Sequence, residues 1–289
     1  MTTVTVRDAG PGFGSIIEGY TPDLLDDAEA TATIQELFDT RGALVFRGQE
    51  LTYREQVRIC ELLIRKPGAS TGHGPDDDNW YVSNKRPNSA APFGRLQFHM
   101  DTAWAHEPND IVSLYATELE PPVAPTSFVS TAVGYATLPD ELKQRIQGLE
   151  IINSAGQIRR RGDLTDVLLS PVERPPWTRK PLALTHPRTG ATLLYACEQN
   201  TREIVGMDPE ASEALLDELF DHLYDPSLVW NHEWQLHDLA CWDNLAVQHA
   251  RANVEIEGGV RTLRRAVSGA PVPAGAAEIR YGRAPAQGA

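Results

Sequence analysis

A chain of 289 residues with 41% hydrophobic and 23% charged residues is long enough to bury a sizeable core and too apolar to be disordered. Its net charge of −14 argues against a nucleic-acid surface, which needs clustered Lys and Arg, but leaves room for a small anion met by arginines inside a pocket. Cys60, Cys197 and Cys241 are scattered without Cys-x-x-Cys spacing and read as reduced core thiols. Met1–Asp8 lacks the charged-then-apolar pattern of a signal peptide, and no apolar run approaches a membrane span. The expectation is a cytoplasmic protein with neither nucleic-acid nor membrane partner. A homo-oligomer remains open.

In chain order, residues 4–20 read as extended chain broken by Gly10-Pro11-Gly12 and Gly14. Residues 31–40 read as the end of a helix that Gly42 terminates. Ala43-Leu44-Val45-Phe46-Arg47 is a run of strand length. Thr52-Tyr53-Arg54-Glu55 forms a capping box opening a helix with Val57, Ile59, Leu62 and Leu63 as its apolar side. A Gly/Pro/Asp-rich loop at 66–79 carries His73, a candidate substrate contact. Strands are expected at 80–83, 111–117 and 126–130, and a short helix at 139–147 with Leu142 and Ile146 on one face. The basic, Pro-rich stretch 157–181, with Arg159-Arg160-Arg161, reads as a mobile surface loop. Leu182–Thr185 and Ala191–Tyr195 flank a Pro/Gly turn as a hairpin. Asp208-Pro209-Glu210 opens a helix in which Leu215, Leu219 and Leu223 recur every four residues. Further strands are expected near 230–236, 239–242 and 261–268, and beyond Pro271 a Pro/Gly/Ala-rich frayed tail. Many short strands with peripheral helices indicate a single mainly β domain over 1–270, a double-stranded β-helix or cupin-like jelly roll, followed by a flexible tail at 271–289.

The chemistry concentrates at Arg95-Leu96-Gln97-Phe98-His99-Met100-Asp101-Thr102, which holds the only His-x-Asp in the chain. If the segment is a strand, His99 and Asp101 project from one face and form two corners of a divalent metal site. A second imidazole would complete the His-His-carboxylate set suited to non-haem Fe(II). His106 is too close along the chain to return, His186 and His237 lie in turns, His222 on the polar side of a helix, and nothing useful follows His232. His249 is followed by Arg261-Thr262-Leu263-Arg264-Arg265. In a strand Arg261, Leu263 and Arg265 share a face and Arg264 points away; inward arginines call for an anion.

His99-x-Asp101, His249 and Arg261-x-Leu263-Arg264-Arg265-Ala266 resemble the TauD/TfdA family of Fe(II)- and 2-oxoglutarate-dependent dioxygenases. The resemblance extends to Gly42–Gln49 with Leu51-Thr52, to His186-Pro187-Arg188-Thr189-Gly190 with Leu194-Tyr195, and to Trp242-Asp243-Asn244. It implies that His99, Asp101 and His249 bind Fe(II), that Arg261 and Thr126 hold 2-oxoglutarate, and that Arg265 meets the co-substrate or an anionic substrate group. With O2 the products would be succinate, CO2 and a hydroxylated or otherwise oxidised small, possibly anionic, molecule. Asp101 fills the position that is a small residue in halogenating relatives, so the expectation is oxygenation. Departures include Phe98 where the family often has Trp, Val123-Ala124-Pro125 in place of Gly-Gly-Asp before the threonine, and a longer His249–Arg261 loop. His73, Arg95 and Thr102 stand at substrate-contact positions without matching the family's residues. Two alternatives are a cupin-like metalloenzyme that does not use 2-oxoglutarate, which the inward Arg261 disfavours, and a non-catalytic small-molecule-binding β-sandwich.

Overall fold

A computed structural model describes residues 4–70, 78–86, 88–156, 166–168 and 174–268. His73, residues 157–165 and 169–173 of the basic stretch, and the 271–289 tail lie outside these residues.

The chain opens with strands β1 (Thr5–Asp8) and β2 (Ser15–Glu18), helix α1 (Ala28–Arg41), strand β3 (Ala43–Phe46) and helix α2 (Tyr53–Ile64). Strands β4 (Tyr81–Ser83), β5 (Leu96–His99), β6 (Ile111–Glu120) and β7 (Thr126–Ser130) follow, then helices α3 (Thr131–Thr137) and α4 (Asp140–Ile146). Next come β8 (Glu150–Ser154), β9 (Trp177–Pro181), β10 (Ala183–Thr185), β11 (Thr192–Leu194) and β12 (Thr201–Ile204). Helix α5 (Pro209–Leu223) precedes β13 (Trp230–His232), β14 (Leu239–Asp243), β15 (Val247–Arg251) and β16 (Val260–Ser268).

Two sheets face each other as a jelly roll. The larger runs β1-β2-β3-β14-β6-β16-β4 and the smaller β13-β7-β15-β5. Strand alternation supplies the faces. In β14, Ala240 and Trp242 enter the layer between the sheets with Phe128, Val247 and Leu263, whereas Leu239 and Cys241 face out to Phe38, Ile59 and Leu63 of α1 and α2. Burying a side chain of this size contributes about 1.5–3 kcal/mol. A third cluster, with Leu216, Leu219 and Phe220 of α5, covers the outer face of the smaller sheet, where Phe98 stacks on Tyr224 at 4.4 Å.

Local signals explain several boundaries. Asp27 caps α1 by accepting from the N–H groups of Glu29 and Ala30, and Gly42, at φ 71°, ends it. The capping box of α2 is present, though its buried face is Gln56, Ile59, Cys60, Leu63 and Ile64, with Val57 and Leu62 only half-buried. Composition misdirects at Trp177–Pro181. Within the expected loop, these residues pair with β8, Thr178 opposite Asn153, as an edge strand, where prolines are tolerated. Helix α3, whose Ser130 cap accepts from the Val133 N–H, and strands β8 and β12 also went without a sequence expectation.

Candidate active site

The candidate ligands meet at the mouth of the sandwich. His249 on β15 is paired directly with His99 on β5. Ligand atoms of His99, Asp101 and His249 all lie within 4.8 Å of one another. Asp101 Oδ1 is 3.5 Å from His99 Nε2 and 3.8 Å from His249 Nε2.

The reason for the His99–Asp101 juxtaposition differs from simple strand alternation. Strand β5 ends at His99, and Asp101 stands in the turn beyond it. Its peptide is held by Asn244, whose Oδ1 accepts from the Asp101 N–H at 2.9 Å and whose Nδ2 donates to the Asp101 carbonyl at 2.7 Å. A second Nδ2 bond, 2.9 Å to the Asn109 carbonyl, anchors that carboxamide. Thr102 follows in the left-handed region at φ 56°, its hydroxyl donating to the Asp101 carbonyl and accepting from the Asn109 N–H. A register shift between β15 and β5 brings Leu96 onto the pocket wall beside His99, three residues away.

The protonation states suit a metal. His99 Nδ1 lies 2.8 Å from the Gln97 carbonyl, an acceptor only, so Nδ1 carries the proton and Nε2 keeps its lone pair toward Asp101 and His249. Burial pushes both imidazoles below their ordinary pKa, His249 the further because His99 stands beside it. Burial pushes the Asp101 carboxyl up, but the charge and hydrogen bond of the Arg265 guanidinium outweigh this and hold it well below the usual carboxylate range. Asp101 thus divides its oxygens: Oδ1 faces the imidazoles and Oδ2 accepts from Arg265 Nη2. Two neutral imidazole nitrogens and one ionised carboxylate form a borderline donor set that fits a divalent first-row metal.

Beside them lies a cavity of about 100 Å³ that shares its walls with Thr126, Arg251, Arg261 and Arg265. Strand β16 projects Arg261 and Arg265 inward, while Arg264 turns out to Gln56 Oε1 and the Leu51 carbonyl. The Thr262/Leu263 register shift falls where the β6 partner jumps from Glu118 to Ala116, so the parity of β16 survives. Arg261 is buried and donates to the Ala124 carbonyl and to Thr126 Oγ1, each at 3.0 Å; Thr126 Oγ1 also accepts from Trp234 Nε1 at 3.1 Å. Among the described residues no carboxylate pairs with it. Burial, and then the neighbouring charge of Arg251, push its pKa well below the ordinary value. A cation so placed gains from an incoming carboxylate.

Three expected substrate contacts fare differently. His73 is outside the described residues. Arg95 is off the cavity wall; its Nε pairs with Asp166 Oδ1 at 2.9 Å, and its backbone bonds Asp166 and Leu168. Thr102 is also off the wall, its hydroxyl used within the turn. Sequence reasoning missed Arg251 and Trp234, and quoted Asn244 only within Trp242-Asp243-Asn244, with no role assigned to it. Parity along β15 puts Arg251 on the face of His249 and was the one available signal.

The family model described as "Taurine catabolism dioxygenase TauD, TfdA family" matches residues 5–267. The chain belongs to the TauD/TfdA family. It is therefore a 2-oxoglutarate-dependent dioxygenase, of a family that uses a metal. It is 27% identical over 269 residues to pentalenolactone F synthase of Streptomyces avermitilis, covering 85% of this chain and 87% of that one. It is likewise 27% identical over 256 residues to an alpha-ketoglutarate-dependent 2,4-dichlorophenoxyacetate dioxygenase of a Burkholderia species, covering 81% and 84%. Among solved structures, AAD-2 in complex with Mn(II) and N-oxalylglycine superposes with a TM-score of 0.73 at 23% identity, covering 94% of this chain and 99% of that one, a likeness of fold.

Proposed function

We propose that this dioxygenase uses Fe(II) and oxidises an unactivated C–H bond of a small organic acid. The observation that carries the reading is one cavity walled by His99, Asp101 and His249 and by the buried Arg261–Thr126 pair. His99 Nε2, Asp101 Oδ1 and His249 Nε2 would hold the iron. Arg261, steadied by Ala124 and Thr126, would receive the far carboxylate of 2-oxoglutarate. Bound there with O2, iron and 2-oxoglutarate would supply the oxidising equivalent for the C–H bond, with succinate and CO2 as the co-products.

The protein's own contribution is charge placement and exclusion of water. Arg265 pulls Asp101 Oδ2 away from the imidazoles, so that one carboxylate oxygen serves the site. Three arginines against one carboxylate leave the walls positive, in favour of anions. Val82, Leu96, Val112, Leu114 and Trp242 give the cavity an apolar lining that keeps competing water low. An acidic substrate agrees with this charge and with the name of the 2,4-dichlorophenoxyacetate dioxygenase. Asp101 occupies the carboxylate position, which favours oxygenation over halogenation.

The test is a screen of carboxylic, sulfonic and amino acids with Fe(II), 2-oxoglutarate and O2, scored by substrate-stimulated succinate. Asp101→Ala should abolish the signal. Succinate formation by that variant at the wild-type rate, or no acid stimulating the wild type, would sink the reading.

A further inference from the structure

Strand β15 places Arg251 on the inner face two residues beyond His249 and directly opposite Thr126 of β7. Arg251 is 4% exposed, and its guanidinium donates to three main-chain carbonyls. Nη1 donates to Ala91 at 2.6 Å, and Nη2 to Phe93 and Gly94, both at 2.7 Å. All three belong to the turn that leads into β5. Burying a guanidinium costs free energy, and its planar fork serves Ala91 from one nitrogen and Phe93 and Gly94 from the other.

The turn is not self-supporting. Ala91 lies in the left-handed region at φ 46°, which a non-glycine residue rarely adopts without outside support. Gly94 exchanges backbone bonds with Val254, just past β15, at 2.9 and 3.2 Å. Its φ is 76°, and an added Cβ would stand 2.9 Å from the Asp166 carbonyl oxygen. The turn is thus fixed from β15 on one side and seated against Asp166 on the other. Ala90 and Ala91 then form part of the wall of the cavity that holds Arg261 and Thr126. At about 100 Å³ this cavity is small beside the roughly 300–1,000 Å³ usual for ligand sites, so a fixed wall there limits what fits.

We propose that Arg251 is a positioning residue that clamps the Ala91–Gly94 turn as a rigid wall at the co-substrate end of the cavity, and so restricts the 2-oxo dicarboxylic acid to the length of 2-oxoglutarate. The inference rests on the assignment of 2-oxoglutarate to the Arg261 end. The charge of Arg251 adds a separate effect, since it raises the positive potential felt by any dicarboxylate near Arg261. Charge and clamp separate on substitution. Lysine keeps the charge, but its single ammonium nitrogen cannot stand at both positions that Nη1 and Nη2 occupy; methionine keeps neither charge nor clamp.

The experiment is anaerobic calorimetric titration of the Fe(II)-loaded full-length enzyme with 2-oxoglutarate and with 2-oxoadipate, one methylene longer. The wild type should bind 2-oxoglutarate at least tenfold more tightly than 2-oxoadipate. Arg251→Met should weaken 2-oxoglutarate about tenfold and bring the two acids within about threefold of each other. Arg251→Lys should restore 2-oxoglutarate affinity to within about threefold of wild type while leaving the discrimination lost. Wild-type discrimination in folded Arg251→Lys overturns the inference, and this variant decides alone should Arg251→Met fail to fold. Wild-type enzyme that binds neither acid instead removes the 2-oxoglutarate assignment, and the inference with it.

Discussion

Asn244 makes no contact with the proposed iron position, yet replacing it with alanine should damage both the fold and the metal site. The side chain is fully buried and makes three bonds, two to the Asp101 peptide and one to the Asn109 carbonyl. At about 1 kcal/mol net per hydrogen bond the loss is about 3 kcal/mol, and more where a main-chain group is left dry. For a chain of this size that is a fall in Tm of about 6–12 °C, at ~2–4 °C per kcal/mol. Because the bonds flank a proposed ligand, Asp101 loses its fixed position, and metal affinity should drop about 10- to 100-fold, as for loss of other outer-shell supports. Asn244→Asp should not rescue either property, because it sets a carboxylate oxygen against the two carbonyl oxygens that Nδ2 now serves. Thermal unfolding of the metal-free protein and anaerobic Fe(II) titration measure the two effects. A metal-free Asn244→Ala protein melting within about 2 °C of wild type, with Fe(II) affinity within about twofold, would refute the assignment of Asn244 as the clamp on Asp101.

Arg261→Met should weaken 2-oxoglutarate binding about 10- to 150-fold, the equivalent of about 1.5–3 kcal/mol for hydrogen bonds to a charged group, while Fe(II) affinity stays unchanged; calorimetry with each ligand checks both halves. Asp238 is fully buried and accepts from Arg47 at 3.2 Å through both oxygens. Burial pushes its carboxyl up, but His232, whose Nε2 lies 3.3 Å from Oδ2, and the Arg47 bonds outweigh this and lower the pKa. A depressed carboxylate stabilises the fold fully above its unfolded pKa and loses that contribution as pH falls through the folded value. Asp238→Asn should therefore cost about 3 kcal/mol at pH 7 and progressively less below about pH 4, measured by denaturant melts across that range. Gly259→Ala should destabilise by about 3 kcal/mol or more, because a Cβ there would meet the Glu120 carbonyl oxygen at 2.1 Å and that of Pro122 at 2.6 Å. Gly148→Ala, with nothing within 4 Å, should cost only about 1 kcal/mol for its φ of 72°. Equal melting temperatures for the two glycine variants would contradict the packing argument.

Local chemistry and strand parity are legible in the sequence. The Thr52/Glu55 box, the Asp208 cap and the Gly42 stop lie within a few residues of the groups they satisfy, so they are legible without a partner strand. Alternation along β16 likewise assigned Arg261 and Arg265 to one face and Arg264 to the other. The composition of the ligand set was readable for a similar reason, since few residues other than His and Asp offer those donors.

How these groups meet depends on contacts between segments far apart in the chain. The strand stops at His99, and Asp101 reaches its place through Asn244, 143 positions along the chain. Arg265 is engaged with Asp101, and Arg95 with Asp166, although sequence alone allowed either arginine to face a substrate. The Trp177–Pro181 strand depends on pairing with β8, which no local propensity announces in a proline-rich stretch. Hydrogen bonds between distant segments carry no periodic signature in sequence. The candidate donor set is therefore visible in the chain, and its geometry is not.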